Sequence, residues 1–263
     1  MHKRFAVCLL LLAGCTASTT PDDDDLVWSR ELARSLARER GEVIEVARFS
    51  RLDAGGRRFG GWEPFVMMPD NARTAYRLVN VDGGVALEAD AREGGSGLYR
   101  KIRINPQTHR VIEWRWRLPA PESGAAWSSS PPILLSLGFD GDPSKLDMMD
   151  RIKLRMARAL TANGLPYASL LYVWQSDVAV GTVVNSRHTD RVRMIVVESG
   201  EERLDQWVTV RRDVLEDYRR AFGEEPGDIV AIGVLTDVGD DGSRRRALYG
   251  DITVRQSSST APR

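Results

Sequence analysis

Glu88 and Asp90, in the segment EADARE, have the residue type and the spacing for acid–base chemistry. Alternate residues of a strand point to the same face, so the two carboxylates share one face while Val85, Leu87 and Ala89 occupy the other. Retaining glycoside cleavage requires two carboxyl groups about 5–5.5 Å apart. Alanines surround the pair and GGSG follows it, which favours a solvated strand face before a turn. Catalysis by this pair is therefore the alternative hypothesis.

The aromatic and arginine side chains of two predicted strands are the candidate ligand-binding residues. Arg115 and Arg117 alternate with tryptophans in VIEWRWRL, and Tyr172 and Trp174 end LLYVW. Aromatic rings beside charged groups are how sugar-binding sandwiches stack a ring and bind its hydroxyls. The alternative is that the rings lie in the core and the arginines in water. The tryptophan face of VIEWRWRL is the one that we expect to pack between two sheets.

Nucleophile and metal chemistry have little support in the chain. Asp237, Asp240 and Asp241 in TDVGDDG are weak candidate calcium ligands, because a plain acidic hairpin is the favoured interpretation. After a predicted signal peptide, the chain has only His109 and His188 and no free cysteine thiol. This composition excludes thiol nucleophiles and cysteine-rich zinc sites. We therefore predict no cofactor.

The N-terminus predicts export and lipid attachment. A basic start and a short apolar run lead to LAGC, which resembles the lipobox of bacterial lipoproteins. Residues 1–14 are then the signal peptide, and Cys15 carries the lipid that binds the membrane. Thr16 follows the cysteine, which by the same resemblance favours the outer membrane, with the protein facing the periplasm or the cell surface. An ordinary secretory signal is the alternative.

The elements that must position these residues are mostly short strands separated by turns. Residues 15–25 form a polar tether, 26–41 a predicted helix, 42–256 the main domain and 257–263 a disordered tail. Eleven runs have strand patterns: 42–49, 74–81, 85–91, 96–104, 111–118, 132–139, 168–174, 192–199, 206–212, 228–237 and 247–254. So many strands with so few helices predict an all-β fold, an antiparallel two-sheet β-sandwich of jelly-roll type with a few peripheral helices.

Two predicted helices interrupt the strands. One begins at Asp142 and ends near Ala162, with Met149 and Ile152 on its apolar face and arginines opposite. We expect it to cap an open end of the sandwich with its arginines in water, and a position on anionic lipid is the alternative. The other is the short segment VLEDYRRAF, which ends at a glycine.

Several ordered blocks resemble a bacterial family of exported proteins, DUF3047. They include SGLYRKI, IEWRWRL, FDGD, LPYASLLYVW, RVRMIVVESG and ALYGDI, and the resemblance covers roughly residues 43–255. It implies a secreted or periplasmic domain and supplies no catalytic residue. The chain departs from the family pattern at Ser128, Ser129 and Ile133 and again over residues 236–241. If those two segments form a ligand or metal site in the family, that site is weakened here.

Composition limits the classes of partner. Lys and Arg number 37, and Asp and Glu also number 37, so no net charge attracts a nucleic acid. We therefore predict a lipid-anchored protein of the cell envelope that binds a glycan or other ligand without catalysis. The alternatives are a polysaccharide-cleaving enzyme and a structural lipoprotein that binds envelope proteins.

Overall fold

The computed structural model describes residues 36–257 except for residues 57, 66–72, 93, 122–129, 153–165, 188 and 239–243. Two β-sheets pack face to face over these residues. Their strands are β1 (Val43–Ala47), β2 (Glu63–Phe65), β3 (Ala75–Val81), β4 (Gly84–Ala91), β5 (Ser96–Ile104), β6 (Val111–Arg117), β7 (Ile133–Phe139), β8 (Ala168–Gln175), β9 (Val183–Asn185), β10 (Val192–Ser199), β11 (Val208–Asp213), β12 (Ile229–Thr236) and β13 (Arg245–Arg255). The predicted two-sheet sandwich is confirmed.

The two sheets differ in their number of strands. One has six strands in the order β11-β6-β13-β4-β3, with β1 also paired to β13, and the other has seven in the order β2-β5-β12-β7-β8-β10-β9. All eleven predicted strands are present, and the sequence missed β2 and β9. Both missed strands have three residues and lie at the two edges of the seven-stranded sheet. Such runs are too short to show an alternating pattern.

One pair of strands is parallel, which corrects the expectation of a wholly antiparallel sandwich. β8 and β10 run in the same direction, with Tyr172 beside Ile195. The chain leaves β8, forms the edge strand β9, and returns as β10 between the two. A parallel pair needs a crossover connection, and the segment that contains β9 supplies it.

The core lies between the sheets and is rich in aromatic rings. Trp114 and Trp116 of β6 are 2% and 0% exposed, which confirms the predicted tryptophan face. Their ring centroids lie 5.4 Å apart at an interplanar angle of 83°. Tyr172 and Trp174 of β8 face them from the other sheet, with centroid distances of 5.1 Å to Trp114 and 6.4 Å to Trp116. The four rings join the two sheets.

Helix α1 (Val214–Phe222) closes one end of the sandwich. Asp213 caps its first turn by accepting a hydrogen bond from the Glu216 amide, and Gly223 ends it with a φ of 70°. A left-handed residue after the last turn is conformationally cheap only for glycine. Tyr218 packs into the core against Phe139, with the ring centroids 4.6 Å apart. The predicted helix VLEDYRRAF is therefore present with its predicted boundaries.

The other two predicted helices lie largely outside the described residues, at 26–35 and 153–162, and the structure tests only the parts at 36–41 and 142–152. Residues 148–152 are helical, but Met149 is 59% exposed and Ile152 is 39% exposed, so over this described stretch the predicted apolar face does not pack, while Asp150 is buried. Of the predicted N-terminal helix, residues 36–40 are not helical, and Arg38 instead forms a bridge to Arg103 of β5. No helix in the described ranges is both long enough and apolar enough to cross a membrane.

Candidate functional site

A trough lies on the outer face of the seven-stranded sheet, above its two neighbouring strands β12 and β7. The outward side chains of these strands are small at four positions, Ala231 and Gly233 on β12 and Ser136 and Gly138 on β7. Strand alternation sends the larger neighbours of these residues into the core. Because these outward side chains are small, the sheet surface is recessed along these two strands, and we call this region the trough.

Tyr99 and Leu171 form the two walls of the trough. The register places Tyr99 opposite Gly233, Gly233 opposite Ser136, and Ser136 opposite Leu171. Three inter-strand steps of about 4.8 Å put the backbones of the walls ~14 Å apart. The cavity between them has a volume of about 310 Å³. Its volume falls at the lower end of the roughly 300–1,000 Å³ that is usual for ligand sites.

The Tyr99 wall is aromatic and held in place. Its ring meets Phe65 edge-on, with the centroids 6.0 Å apart at 72°. Its hydroxyl donates a hydrogen bond of 3.0 Å to Glu63 Oε2, and Lys101 Nζ lies 3.2 Å from the same oxygen. Burial raises the pKa of the Tyr99 hydroxyl, and the nearby Glu63 carboxylate raises it further. The ring therefore presents a fixed apolar surface with a neutral hydroxyl.

The floor and ends of the trough are weakly polar. Gly233 leaves room for the Ser136 hydroxyl, because a Cβ there would lie 2.6 Å from Ser136 Oγ and would force that side chain to move. Ser136 and Ser169 offer hydroxyls, and Asp237 is the one charged residue among the described residues that line the cavity. The remaining lining is mostly aliphatic or proline. These features suit an uncharged ligand with apolar surface and a few hydroxyl contacts.

Tyr172 and Trp174, which the sequence proposed for ligand binding, do not face the trough. Both are fully buried on the inner face of β8, so no ligand on the outer face reaches their rings. The Tyr172 hydroxyl instead donates to Asp217 Oδ2 at 3.0 Å, and Trp174 Nε1 donates to the Gly200 carbonyl at 2.9 Å. The structure corrects this prediction and gives both rings to the core.

Arg115 and Arg117 lie on the outer face of the six-stranded sheet, away from the trough. The Arg115 guanidinium stacks 4.7 Å from the centroid of Trp207. Arg117 Nη1 bonds Asp82 Oδ2 at 3.1 Å, and Trp207 Nε1 donates to the same oxygen at 2.8 Å. The predicted arginine row therefore belongs to a surface cluster that supplies most of its own partners, and Arg117 Nε is the buried atom of this cluster without an acceptor among the described residues.

Glu88 and Asp90 also lie on the outer face of the six-stranded sheet, where arginines hold them. Arg77 Nε donates to Glu88 Oε2 at 2.5 Å. Arg244 binds both oxygens of Asp90 at 2.7 and 2.9 Å, and Arg92 adds a bond of 3.1 Å. These hydrogen bonds, that of Arg244 most strongly, lower the pKa of the Asp90 carboxyl. The lowered pKa rules out Asp90 as the general acid, and the arginines that occupy both of its oxygens disfavour it as the nucleophile of a retaining pair.

The other predicted sites are only partly visible. Asp237 lies at one end of the trough, while Asp240 and Asp241 are outside the described residues. Over the described part of the chain, no three acidic, histidine or cysteine side chains come together as metal ligands. Cys15 is also outside that part.

Sequence reasoning missed the trough because its residues have no distinctive chemistry. A signal was present in PILLSLGF and DIVAIGVLTD, where glycine, serine and alanine recur on one face of each strand. Two strands with small residues on one face indicate a recessed part of a sheet surface only if they are neighbours in that sheet. Their pairing is visible only in the structure.

Comparison with known proteins gives a family and a general likeness of shape. The family model described as "Protein of unknown function (DUF3047)" matches residues 60–253. No curated protein matches the chain.

Solved structures resemble the chain only distantly. The family 11 carbohydrate-binding module of a Clostridium thermocellum cellulase is 9% identical, with a TM-score of 0.39, over 83% of this chain and 97% of that one. The family GH12 endoglucanase 3 of Trichoderma harzianum is 7% identical, with a TM-score of 0.41, over 84% and 100% of the two chains. Similarities this low say nothing about what the chain binds.

Proposed function

Because the chain belongs to the DUF3047 family, whose function is unknown, we propose a function from its own geometry: non-catalytic binding of an uncharged glycan segment in the trough. The observation that carries this proposal is the row of small residues between the Tyr99 and Leu171 walls. A glycan ring has apolar C–H faces and a rim of hydroxyls. The trough offers apolar walls and a floor with serine hydroxyls.

The dimensions fit a short segment of one chain. Ala231 and Leu235 are four residues apart on β12, a distance of ~14 Å at the rise of an extended strand. Pro166 crosses one end, lying 3.0 Å from where a Cβ on Gly138 would be. With Asp237 as the one charged lining residue that the structure describes, contacts are mostly stacking and neutral hydrogen bonds. Binding of this kind is little affected by salt.

An acyl chain is the second candidate ligand, and the lining favours it by its aliphatic character. Leu134, Leu171, Leu235 and Val192 contribute apolar surface, and prolines 131 and 166 add more. Burying such surface against hydrocarbon gains about 25 cal/mol per Å². The two candidates differ in their need for the serine hydroxyls, which only a glycan uses.

The cell-envelope setting is part of the same proposal. LAGC at the end of the predicted signal peptide makes Cys15 the lipidation residue. Lipid at Cys15 would hold the sandwich at the outer membrane, where both glycans and acyl lipids are present. The lipid on Cys15 then binds the membrane, and the trough binds the ligand.

The substitution Ser136→Leu tests the trough. A leucine at this position adds bulk between the two walls, so glycan binding should weaken by about tenfold or more, equivalent to ~1.4 kcal/mol. Thr209→Leu is the matched control, because Thr209 is an exposed outward residue of β11 in the other sheet. Purified full-length protein is applied to an array of neutral glycans, and affinities are then measured by calorimetry with urea melts as a folding check.

The array, together with a fatty-acid uptake assay and cross-linking in the cell envelope, distinguishes the candidate functions. Saturable, salt-tolerant binding that Ser136→Leu lowers and Thr209→Leu leaves intact supports the glycan proposal. Binding that is equal in both variants, or an array with no binding, contradicts it. Saturable uptake of a fluorescent fatty acid that Ser136→Leu blocks supports the second candidate instead. Release of shortened product supports the enzyme alternative, and a cross-linked envelope protein without any glycan supports the structural one.

A further inference from the structure

A cleft separate from the trough opens at the side of the sandwich, between β1 of one sheet and β5 of the other. Its volume is about 230 Å³. This is below the roughly 300–1,000 Å³ of sites for drug-sized ligands, so the cleft fits a single ring. The described residues that matter for its chemistry are Glu45, Arg48, Phe49, Phe59, Trp62 and Arg100.

Aromatic rings form one side of the cleft. Phe49 and Trp62 pack with their centroids 5.6 Å apart at 47°, and both are nearly buried. Phe59 packs against the core, lines the cleft and is partly exposed. Gly60 and Gly61 have φ angles of 64° and 87°, which turn the chain tightly before Trp62. The turn fixes the ring of Trp62 as a wall of the cleft.

Guanidinium groups form the other side of the cleft, and not all of their donors are used. Arg100 Nη1 donates to the carbonyls of Val46 and Glu45, at 2.5 and 3.3 Å. Arg48 pairs with Glu45 through Nη2 and with Asp251 through Nη1. Its Nε–H is buried and has no acceptor among the described residues. Arg117 Nε and the indole nitrogens of Trp114 and Trp116 also lack an acceptor among the described residues, so the cationic and aromatic lining, and not this one atom, favours a ligand in the cleft.

The local charge favours an anion. Three arginines, at positions 48, 51 and 100, outnumber the carboxylates of Glu45 and Asp251 that lie beside them. The Asp251 carboxylate also accepts hydrogen bonds from the Ser50 amide and hydroxyl, at 2.9 and 2.6 Å. A carboxylate that entered the cleft would meet the guanidinium groups of Arg48 and Arg100, and charge-assisted bonds of this kind are the stronger ones.

We propose that this cleft is a second ligand site, which takes a single ring carrying a carboxylate. The ring packs against Trp62 and Phe59, and the carboxylate meets Arg48 and Arg100. A uronic acid and an aromatic acid both have this chemistry. The site is distinct from the trough, because Tyr99 and Arg100 are consecutive on β5 and their side chains point to opposite faces.

Binding of matched acid and neutral probes to the full-length protein tests the proposal. D-Glucuronate is compared with D-glucose, and benzoate with benzyl alcohol, by calorimetry and by amide chemical shifts. The acid of at least one pair should bind, and its neutral partner should bind about tenfold or more weakly, as loss of a charge-assisted bond implies. The pair that responds tells a sugar acid from an aromatic acid. The shifts should cluster at residues 45–62 and 100.

The variant Arg48→Gln should weaken acid binding about tenfold or more by the same reasoning. Arg77→Gln is its matched control, since Arg77 also pairs with a carboxylate but lies on the outer face of the six-stranded sheet. Ser136→Leu, which fills the trough, should leave acid binding unchanged, and this separates the cleft from the proposed function. Shift mapping on the unaltered protein keeps the test valid if Arg48→Gln does not fold. No binding of either acid, equal binding of acid and neutral probes, or shifts outside the cleft would overturn the proposal.

Discussion

At the scale of single residues, strand periodicity predicts the buried face only where the two faces differ. In β6 charged residues separate the tryptophans, so the sequence identified the core face correctly. In β8 the residues on both faces are apolar, with Leu170, Tyr172 and Trp174 inward and Leu171 and Val173 outward. The pattern of β8 alone does not select a face. The structure buries the larger rings and leaves Leu171 for the trough.

This assignment predicts that Trp174 stabilises the fold and does not bind ligand. Trp174→Ala empties a fully buried site and should cost about 3–5 kcal/mol. It also removes the hydrogen bond to the Gly200 carbonyl. Trp207→Ala is the control, because Trp207 is a partly exposed ring that should cost only about 1–2 kcal/mol through its arginine and aspartate contacts. Urea unfolding measures both values, and equal losses would contradict the assignment.

At the scale of elements, helix α1 is held to the sandwich by one buried carboxylate. Asp217, with 4% of its side chain exposed, accepts bonds from Arg212 at 2.5 and 2.8 Å. It also accepts the Tyr172 hydroxyl at 3.0 Å and Arg220 at 3.2 Å. Burial, and then the negative charge of Asp217, raise the pKa of Tyr172. The neutral hydroxyl therefore remains a donor, and β8, β11 and α1 meet at this carboxylate.

Removing this charge should therefore loosen the helix. Asp217→Asn leaves Arg212 partly buried without its anion, and the expected loss is about 2–4 kcal/mol of unfolding free energy. Glu216→Gln is the matched control, since Glu216 is exposed in the same first turn and its loss alters the helix dipole equally. Hydrogen exchange of the α1 amides shows where the effect lies. If both variants lose the same free energy, the carboxylate does not anchor the helix.

The long strands were predictable and the edges were not, for physical reasons. A strand of seven or more residues shows its alternation several times, as β6 and β7 do. β2 has three residues including Pro64, and a proline is tolerated at a sheet edge because the ladder there needs fewer donors. The amphipathic pattern around Met149 and Ile152 also misled the prediction, because both side chains are exposed. An amphipathic pattern predicts an apolar helix face but not the element against which that face packs.

At the scale of the whole molecule, the sandwich presents three surfaces of different chemistry. The outer face of the six-stranded sheet carries paired charges, including Arg77 with Glu88 and Arg244 with Asp90. The trough on the opposite sheet is nearly uncharged, and the cleft between the sheets is aromatic and cationic. These three groups of residues could not be predicted from the sequence, because each surface joins strands that are distant along the chain.

The predicted lipid anchor would decide where those surfaces operate. The lipobox-like LAGC predicts that Cys15 is acylated and becomes the first residue of the mature chain. Several acyl chains, at about 0.8 kcal/mol per buried CH₂, hold a protein to a bilayer. In a bacterial host the wild-type protein should therefore be found in the membrane fraction and incorporate labelled palmitate.

Cys15→Ser removes the thiol that receives the lipid. The variant should stay as an unprocessed precursor of higher mass without palmitate label, whereas Cys8→Ser should mature normally because it keeps Cys15. Cys8 is the matched control, being the one other cysteine of the chain and part of the same apolar run. Fractionation, mass spectrometry of the N-terminus and palmitate labelling give the result. Normal maturation of Cys15→Ser would show an ordinary secretory signal, and the sandwich would then act as a free exported protein.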